Sequence, residues 1–309
     1  TEIEKMLIAE SAPFLRKIPR AYRDCFTLAA HRDVLNLLQT NDHKFQATLI
    51  KRKGCLNSAT FTEELAGYLI AKYKDRFELA EQSPVSHVIL REKSALLTVN
   101  QHVVVAKKVV LCTNGFEKFS IVNTAGEEID SAFHHMVRGA IGYMAGYLDK
   151  AGSPPTAISY LPDHDKTGAA YVTDPYFYLT RRPFEEEGKR ARNLICIGGP
   201  EVDIEDTNEY DRDMHKYPAQ AQKDIDAFLH KSYAPAPKGK INYKFRWHGL
   251  MGYTPNGIRR IGPEPRNSVL LYNLGCNGVG ILPSIYGGSR IAQIIAGRKV
   301  GRSIFDPKK

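Results

Sequence analysis

The stretch LLYNLGCNGVGILPSIYGGSRIAQIIAG, from Leu270 to Gly297, constrains the fold more than any other part of the chain. An apolar run enters a glycine-rich turn, and the turn opens a segment of helical length and period. Gly275, Gly278 and Gly280 remove Cβ atoms where the backbone would approach a flat or charged ligand, and a helix starting there directs free N–H groups toward it. The spacing is GxxGxG, not the dinucleotide GxGxxG, and the residues after Gly297 are too few for the second half of a βαβ unit, so an ordinary opening Rossmann turn is not expected. Two meanings stay open on the motif alone: a cofactor cradle, or close packing of a helix on a strand through small residues.

Bulk properties narrow the classes. A chain of 309 residues with 43% hydrophobic content is that of a globular protein with room for two domains. The net charge of +9 is a mild excess of 43 basic over 34 acidic residues. The excess is mild and gathers in Lys51 to Lys53, Lys238 to Arg246 and the C-terminal tail, so no nucleic-acid partner is expected. Cys25, Cys55, Cys112, Cys196 and Cys276 are odd in number and contain no CxxC pair, which argues against a zinc site and a secreted disulfide framework. His134 and His135 are adjacent rather than spaced for ligation, and no metal is expected. With no apolar run of membrane-spanning length and an acidic start, TEIEKML, a cytoplasmic protein without an integral membrane segment is expected.

Along the chain, Ile3, Met6 and Leu7 form one helical face and Val34, Leu35 and Leu38 a second. Phe45 to Lys51 reads as a strand, Gly54 as a turn, and Thr60 with Glu63 as a capping box for a helix that aligns Phe61, Leu65, Tyr68 and Leu69. From Val85 to Cys112 the period changes to two, predicting a β-meander that feeds a buried strand ending in Cys112-Thr113-Asn114-Gly115. An aromatic strand, AYVTDPYFYLTRR, and the strand LICIGG at Leu194 to Gly199 follow in a sheet-rich region. Glu201 to Asp213 is acidic, and Asp203 to Asp213 reads as a solvated loop. Ala221, Ile225, Phe228 and Leu229 define an amphipathic helix that ends before Pro235 and Pro237.

Four blocks occur in order: the helix and meander from Gly54 to Arg91, KVVLCTNG, the aromatic strand ending in Arg181-Arg182 with IGG after it, and WHGLMGYTPNGIRRIGP before the glycine turn. This order resembles the D-amino-acid-oxidase-like (DAO) superfamily of FAD-dependent oxidoreductases, which includes glycine oxidase and sarcosine oxidase, over roughly Phe45 to Gly297. The resemblance implies an α/β with α+β fold: an incomplete FAD/NAD(P)-binding-type domain plus an antiparallel-sheet substrate domain. Residues 1-53 would then be a helical segment and a substrate-domain strand, 54-118 with 247-309 a discontinuous FAD-binding-like domain, and 119-246 the substrate domain.

The same resemblance implies that the backbone of Val85 meets the adenine, that Thr113, Asn114 and Gly115 lie near the nucleotide, and that Gly278 and Gly280 stand beside the flavin ring. Gly249, Thr254, Gly275 and Asn277 complete the implied cofactor-binding set. Gly249 stands where sarcosine-oxidase-like members carry a flavin-linking cysteine, so non-covalent FAD is expected. Met251 replaces the arginine with which glycine-oxidase-like members grip a carboxylate, and Asn256 replaces the acid of the threonine-proline-aspartate turn. The family's GxGxxG unit precedes the part that TEIEKML begins, so a partner chain or a further N-terminal segment is expected to supply the pyrophosphate site.

Candidate catalytic residues follow from chemistry. Arg181 and Arg182 end the aromatic strand, and because strand neighbours face opposite ways only one can meet a substrate carboxylate. Tyr176 and Tyr178 share a face and offer a hydroxyl and an aromatic wall, Trp247 begins the flavin-facing block, and His248 is a candidate base. The expected function is oxidation of an amine or amino acid by hydride transfer to FAD. Two alternatives stay open: a non-catalytic DAO-like module or assembly partner that binds no flavin by itself, and a hydroxy-acid or polyol phosphate dehydrogenase of the same superfamily.

Overall fold

The change of hydrophobic period at Val85 has a direct counterpart in the computed structural model, which describes residues 29–48, 50, 56–134, 136–161, 176–185, 190–204, 206, 209–213 and 215–308. Strands β1 (Val85–Leu90), β2 (Ala95–Val99) and β3 (His102–Ala106) form the expected antiparallel meander, with Leu90 opposite Ala95 and Val99 opposite His102. Asn100 takes φ 55° in the tight turn between β2 and β3, a conformation asparagine tolerates better than most residues. The short strand β4 (Val109–Leu111) then leaves the meander, while β5 (Ser120–Asn123) pairs in parallel with β1. The resulting four-stranded sheet has the order β3-β2-β1-β5.

The described chain divides into two compact units, one of Thr1–Lys53, Ala145–Gly199 and Pro218–Phe245, the other of Gly54–Met144, Pro200–Tyr217 and Arg246–Lys309. The second unit holds the meander, helices α2 (Ser58–Lys72), α3 (Asp130–His134) and α5 (Ile281–Ile295), and a three-stranded sheet. In that sheet, β4 runs parallel to β12 (Asn267–Leu274), which pairs antiparallel with β11 (Arg260–Glu264), in the order β11-β12-β4. One core joins the two sheets: Val88 and Leu90 of β1, Leu111 of β4, Phe133 of α3, and Leu270 and Tyr272 of β12. Each large apolar side chain so buried stabilises the fold by about 1.5 to 3 kcal/mol.

The first unit contains α1 (His31–Leu37), α4 (Ala219–Ser232), β7 (Thr156–Tyr160) and β8 (Phe177–Phe184). With β6 (Arg138–Lys150), β9 (Arg192–Ile204) and β10 (Tyr243–Tyr253), these strands form a sheet of order β10-β6-β9-β8-β7. Val34, Leu35 and Leu38 are buried as their spacing predicts, and α4 buries Ala221, Ile225 and Leu229. The phenyl ring of Phe228 stacks on Phe177 with centroids 4.1 Å apart. The two adjacent glycines of LICIGG have separate purposes: a Cβ at Gly198 would lie 2.5 Å from the Tyr178 ring, and one at Gly199 would lie 2.5 Å from Phe177. Because Tyr178 and Phe177 point to opposite faces, each face of β9 gives up one side chain to admit one ring.

Some local expectations differ from the structure. Residues 45–48 and 50 carry no strand; His31 instead approaches the Phe45 carbonyl through Nε2 at 3.0 Å. The capping box at Thr60 and Glu63 is not formed: α2 starts at Ser58 after Asn57 with no side-chain cap, and the Thr62 hydroxyl donates back to Ser58. Its face of Phe61, Leu65, Tyr68 and Leu69 is helical, yet no residue of α2 is buried, since helical period alone supplies no packing partner. The loop expected from Asp203 begins later, as β9 continues to Ile204, and Tyr210 within it is buried. The helical face at Ile3, Met6 and Leu7, the turn at Gly54, and Cys25 and Cys55 lie outside the described residues.

Replacing Gly199 with valine should cost about 1 to 3 kcal/mol through overpacking against Phe177, and a denaturant midpoint no lower than that of the unaltered chain would contradict this packing.

Candidate functional site

Three segments of the second unit meet at the backbone of Gly252 in β10. Asn114, held at φ 57° after β4, accepts from the Gly252 N–H through Oδ1 at 2.9 Å and donates from Nδ2 to the Leu250 carbonyl at 3.1 Å. On the other side, the N–H of Asn277 donates to the Gly252 carbonyl at 3.1 Å. A Cβ at Gly252 would stand 2.7 Å from the Asn114 backbone and from the Val137 side chain, so only glycine fits. Gly115 likewise packs on Leu250, where a Cβ would lie 3.2 Å from the side chain. Thr113, whose side chain is also near the end of β4, has a buried hydroxyl with no hydrogen-bond partner.

The glycine turn is fastened to the strand end that follows Gly252. Asn277 Oδ1 accepts from the N–H of Thr254 at 2.8 Å and from its hydroxyl at 3.3 Å, while Asn277 Nδ2 donates to Gly257 at 2.9 Å. Gly275 has φ 80°, and a Cβ there would come within 2.6 Å of Thr254 Cγ2, so both its conformation and its neighbour require glycine. Gly278, also left-handed, faces the Tyr253 hydroxyl, and Gly280 precedes α5 as its N-terminal flanking residue. Gly249 opens onto free space, and Val85, at the start of β1, is partly buried against the core. The structure thus brings Asn114, Gly115, Thr254, Gly275 and Asn277 into one hydrogen-bonded and packed assembly.

Sequence reasoning missed three features here. Gly252 lies in a strand whose pattern gives no sign of its two partners. Tyr253 donates to Glu201 Oε2 at 3.3 Å, and Arg138 sits over the Tyr253 ring at 5.2 Å while pairing with Asp203. Burial, the largest influence, raises the Glu201 carboxyl above its ordinary value; the Tyr253 hydroxyl opposes the shift. The third is Arg259, only 5% exposed, whose Nη2 donates to Ser284 Oγ at 2.9 Å and Asn273 Oδ1 at 3.3 Å.

His248 is not arranged as a free base. Its Nδ1 accepts from the Tyr210 hydroxyl at 3.0 Å and its Nε2 donates to the His215 carbonyl at 2.9 Å. The Tyr143 hydroxyl in turn hydrogen-bonds His215 Nε2 at 2.7 Å. Burial first, and the neighbouring His248 second, lower the His215 pKa. Trp247, 40% exposed, is the more accessible of the pair.

In the first unit, Arg181 and Arg182 point to opposite faces of β8. Arg181 is buried and donates to the Pro154 carbonyl at 2.9 Å, Gln39 at 3.0 Å and the Tyr233 hydroxyl at 3.3 Å, which gives it a structural task. Arg182 shares the opposite face with Tyr178 and bonds the Cys196 side chain. The rings of Tyr176 and Tyr178 lie 5.6 Å apart, as period-two neighbours do. Among the described residues, no cluster of histidine, cysteine and acidic side chains could hold a metal ion, and no helix is long and apolar enough to cross a membrane.

The chain belongs to the DAO family, FAD dependent oxidoreductase, whose model matches residues 16–294. Its mixed α/β fold with several antiparallel sheets is the fold of that family's solved members. Glycine oxidase from Bacillus cereus ATCC 14579 superposes with a TM-score of 0.59 at 14% identity, covering 99% of this chain and 74% of that one. L-proline dehydrogenase from P. horikoshii gives 0.53 at 16% identity over 79% of this chain and 58% of that one. Iminodiacetate oxidase from Chelativorans sp. BNC1 gives 0.50 at 13% identity over 79% and 58%. Glycine oxidase from Geobacillus kaustophilus is matched over 52% of its own length, so the chain spans about half to three quarters of these structures. No curated protein matches the sequence.

Replacing Asn114 with alanine removes two hydrogen bonds and places alanine at positive φ; a loss of about 1 to 3 kcal/mol is expected in chemical denaturation. Because His215 resists protonation when folded, the unfolded chain binds more protons as the pH falls through 6.5. Stability should therefore decline on acidification across that range, and less so in His215→Gln; identical pH profiles would contradict the assignment.

Proposed function

We propose that the assembly around Gly252 holds the isoalloxazine end of non-covalently bound FAD and that the chain takes part in oxidising an amine or amino acid. The observation that supports this best is the joining of the β4 exit, the β10 end and the glycine turn through Asn114, Gly252 and Asn277. Thr113, Asn114, Gly115, Gly249, Thr254, Gly275, Asn277, Gly278 and Gly280 are the residues proposed to border the cofactor, with Val85 at its adenine. They suit it: a buried hydroxyl at Thr113 lacks a partner, and glycines at Gly249 and Gly278 leave the approach free of Cβ atoms.

Bound FAD supplies the hydride acceptor. The residues of the chain must then present a neutral amine, exclude water and receive a proton. Glu201, with its raised pKa and its bond from Tyr253, is the proposed proton acceptor, and Tyr253 links it to the glycine turn. Arg182 is the proposed partner of a substrate carboxylate, since Arg181 is committed elsewhere.

The whole sequence contains no GxGxxG, so the reading includes a diphosphate-binding βα unit contributed by further residues or by a partner chain. Among the described residues β4 is an edge of its sheet, and Leu282 and Ile285 of α5 are exposed, features that suit an added strand and helix.

The test is reduction of an artificial dye by the protein with FAD, across a panel of amines and amino acids; absence of any amine-dependent reduction would favour the non-catalytic module. In an active preparation, Glu201→Gln should lower kcat/KM about a hundredfold and abolish the acidic limb of its pH profile. Arg182→Met should raise KM tenfold or more for carboxylate-bearing substrates and leave simple amines unaffected, about the value of a charge-assisted bond.

A further inference from the structure

A buried guanidinium without a counter-charge is costly, because its desolvation is repaid only by a close anion or by acceptors for its N–H groups. Arg259 is such a group. Its Nη2 has two neutral acceptors, Ser284 Oγ and Asn273 Oδ1, whereas Nε and Nη1 are buried with no partner. Three of the five guanidinium N–H donors are therefore unmatched. No ion pair involves Arg259 among the described residues; the ionisable side chains close enough to influence it are Cys276 and Cys112, neither a carboxylate. Burial accordingly holds its pKa below the ordinary arginine value.

Its place in the fold identifies the missing anion. Cys112 directly follows β4 and Cys276 lies just past β12, so the guanidinium stands at the carboxyl ends of two parallel strands. Ser284, which orients Nη2, belongs to the first turn of α5, and that turn contains no acidic residue. Carboxyl ends of parallel strands beside a helix N-terminus are where proteins bind phosphate. The Thr113 hydroxyl, buried and unpartnered past the end of β4, is a second polar group awaiting a ligand at this end of the sheet.

We propose that Arg259 is a phosphate-binding residue, taking a phosphoryl group of a nucleotide diphosphate against its free Nε and Nη1 donors. The identity of the nucleotide as FAD rests on the flavin reading above; the phosphate site does not. Arg259 thereby supplies from this chain part of the charge compensation that a glycine-rich dinucleotide turn supplies through backbone N–H groups.

The experiment is calorimetric titration of the purified protein with inorganic pyrophosphate, ADP, FAD and riboflavin, paired with thermal melts, for the unaltered chain and Arg259→Met. Pyrophosphate, ADP and FAD should bind at least tenfold more weakly to the variant, and riboflavin equally to both. Without ligand the variant should melt no lower than the unaltered chain, because methionine fills the site without a buried charge. Should methionine disturb folding, Arg259→Lys keeps the charge and should still weaken pyrophosphate severalfold. Failure of the unaltered chain to bind pyrophosphate or ADP, or equal binding by the variants, overturns the proposal. Equal FAD binding by both proteins would remove this site and leave the flavin reading intact. Pyrophosphate binding that depends on Arg259, without any FAD binding, would support the site and remove the flavin reading.

Discussion

The flavin reading of this chain depends on the backbone of one residue, Gly252. Its N–H and carbonyl are used in opposite directions, one by the Asn114 side chain and one by the Asn277 backbone. A strand residue whose two polar groups are both satisfied outside its own sheet ladder joins segments far apart in sequence. The cost of leaving either group unmatched in a buried position, about 1 to 3 kcal/mol, is what holds the three segments together. Neither asparagine is interchangeable with a simple polar residue, since both adopt positive φ and use side-chain oxygen and nitrogen at once.

The sequence reveals elements more readily than it reveals meetings. The meander from Val85 is legible because alternation is local, and the helix at Ala221 because its apolar period is strong. The pairing of β4 with β12 is not legible, as nothing in KVVLC or LLYNL specifies the other. Gly275 and Asn277 were accessible through the family resemblance, whereas Gly252 lay unnoticed between Met251 and Tyr253. The adjacent arginines Arg181 and Arg182 show the same limit. Alternation says that they separate, but only the acceptors at Pro154, Gln39 and Tyr233 decide which one is occupied with structure. His248 is a further case, for a histidine beside the sole tryptophan suggests chemistry, while its two nitrogens are bound to Tyr210 and His215.

Two kinds of polar group emerge. Arg181, His248 and the two asparagines are matched, and they stiffen the frame. Thr113, and Arg259 through Nε and Nη1, are buried and unmatched, and both belong to the carboxyl end of the parallel strand pair. Buried polar groups are nearly always satisfied in folded proteins, and these two are the ones for which a bound ligand is proposed as the missing partner. Membership of the FAD dependent oxidoreductase family does not specify the substrate.

Hydrogen–deuterium exchange tests most directly whether the Gly252 assembly is a cofactor cradle. Backbone amides in residues 112–115, 250–257 and 275–280 should gain protection together when FAD is added, because the three segments share one set of hydrogen bonds. Unchanged exchange in all three at saturating FAD, or protection of one segment without the others, would contradict the account.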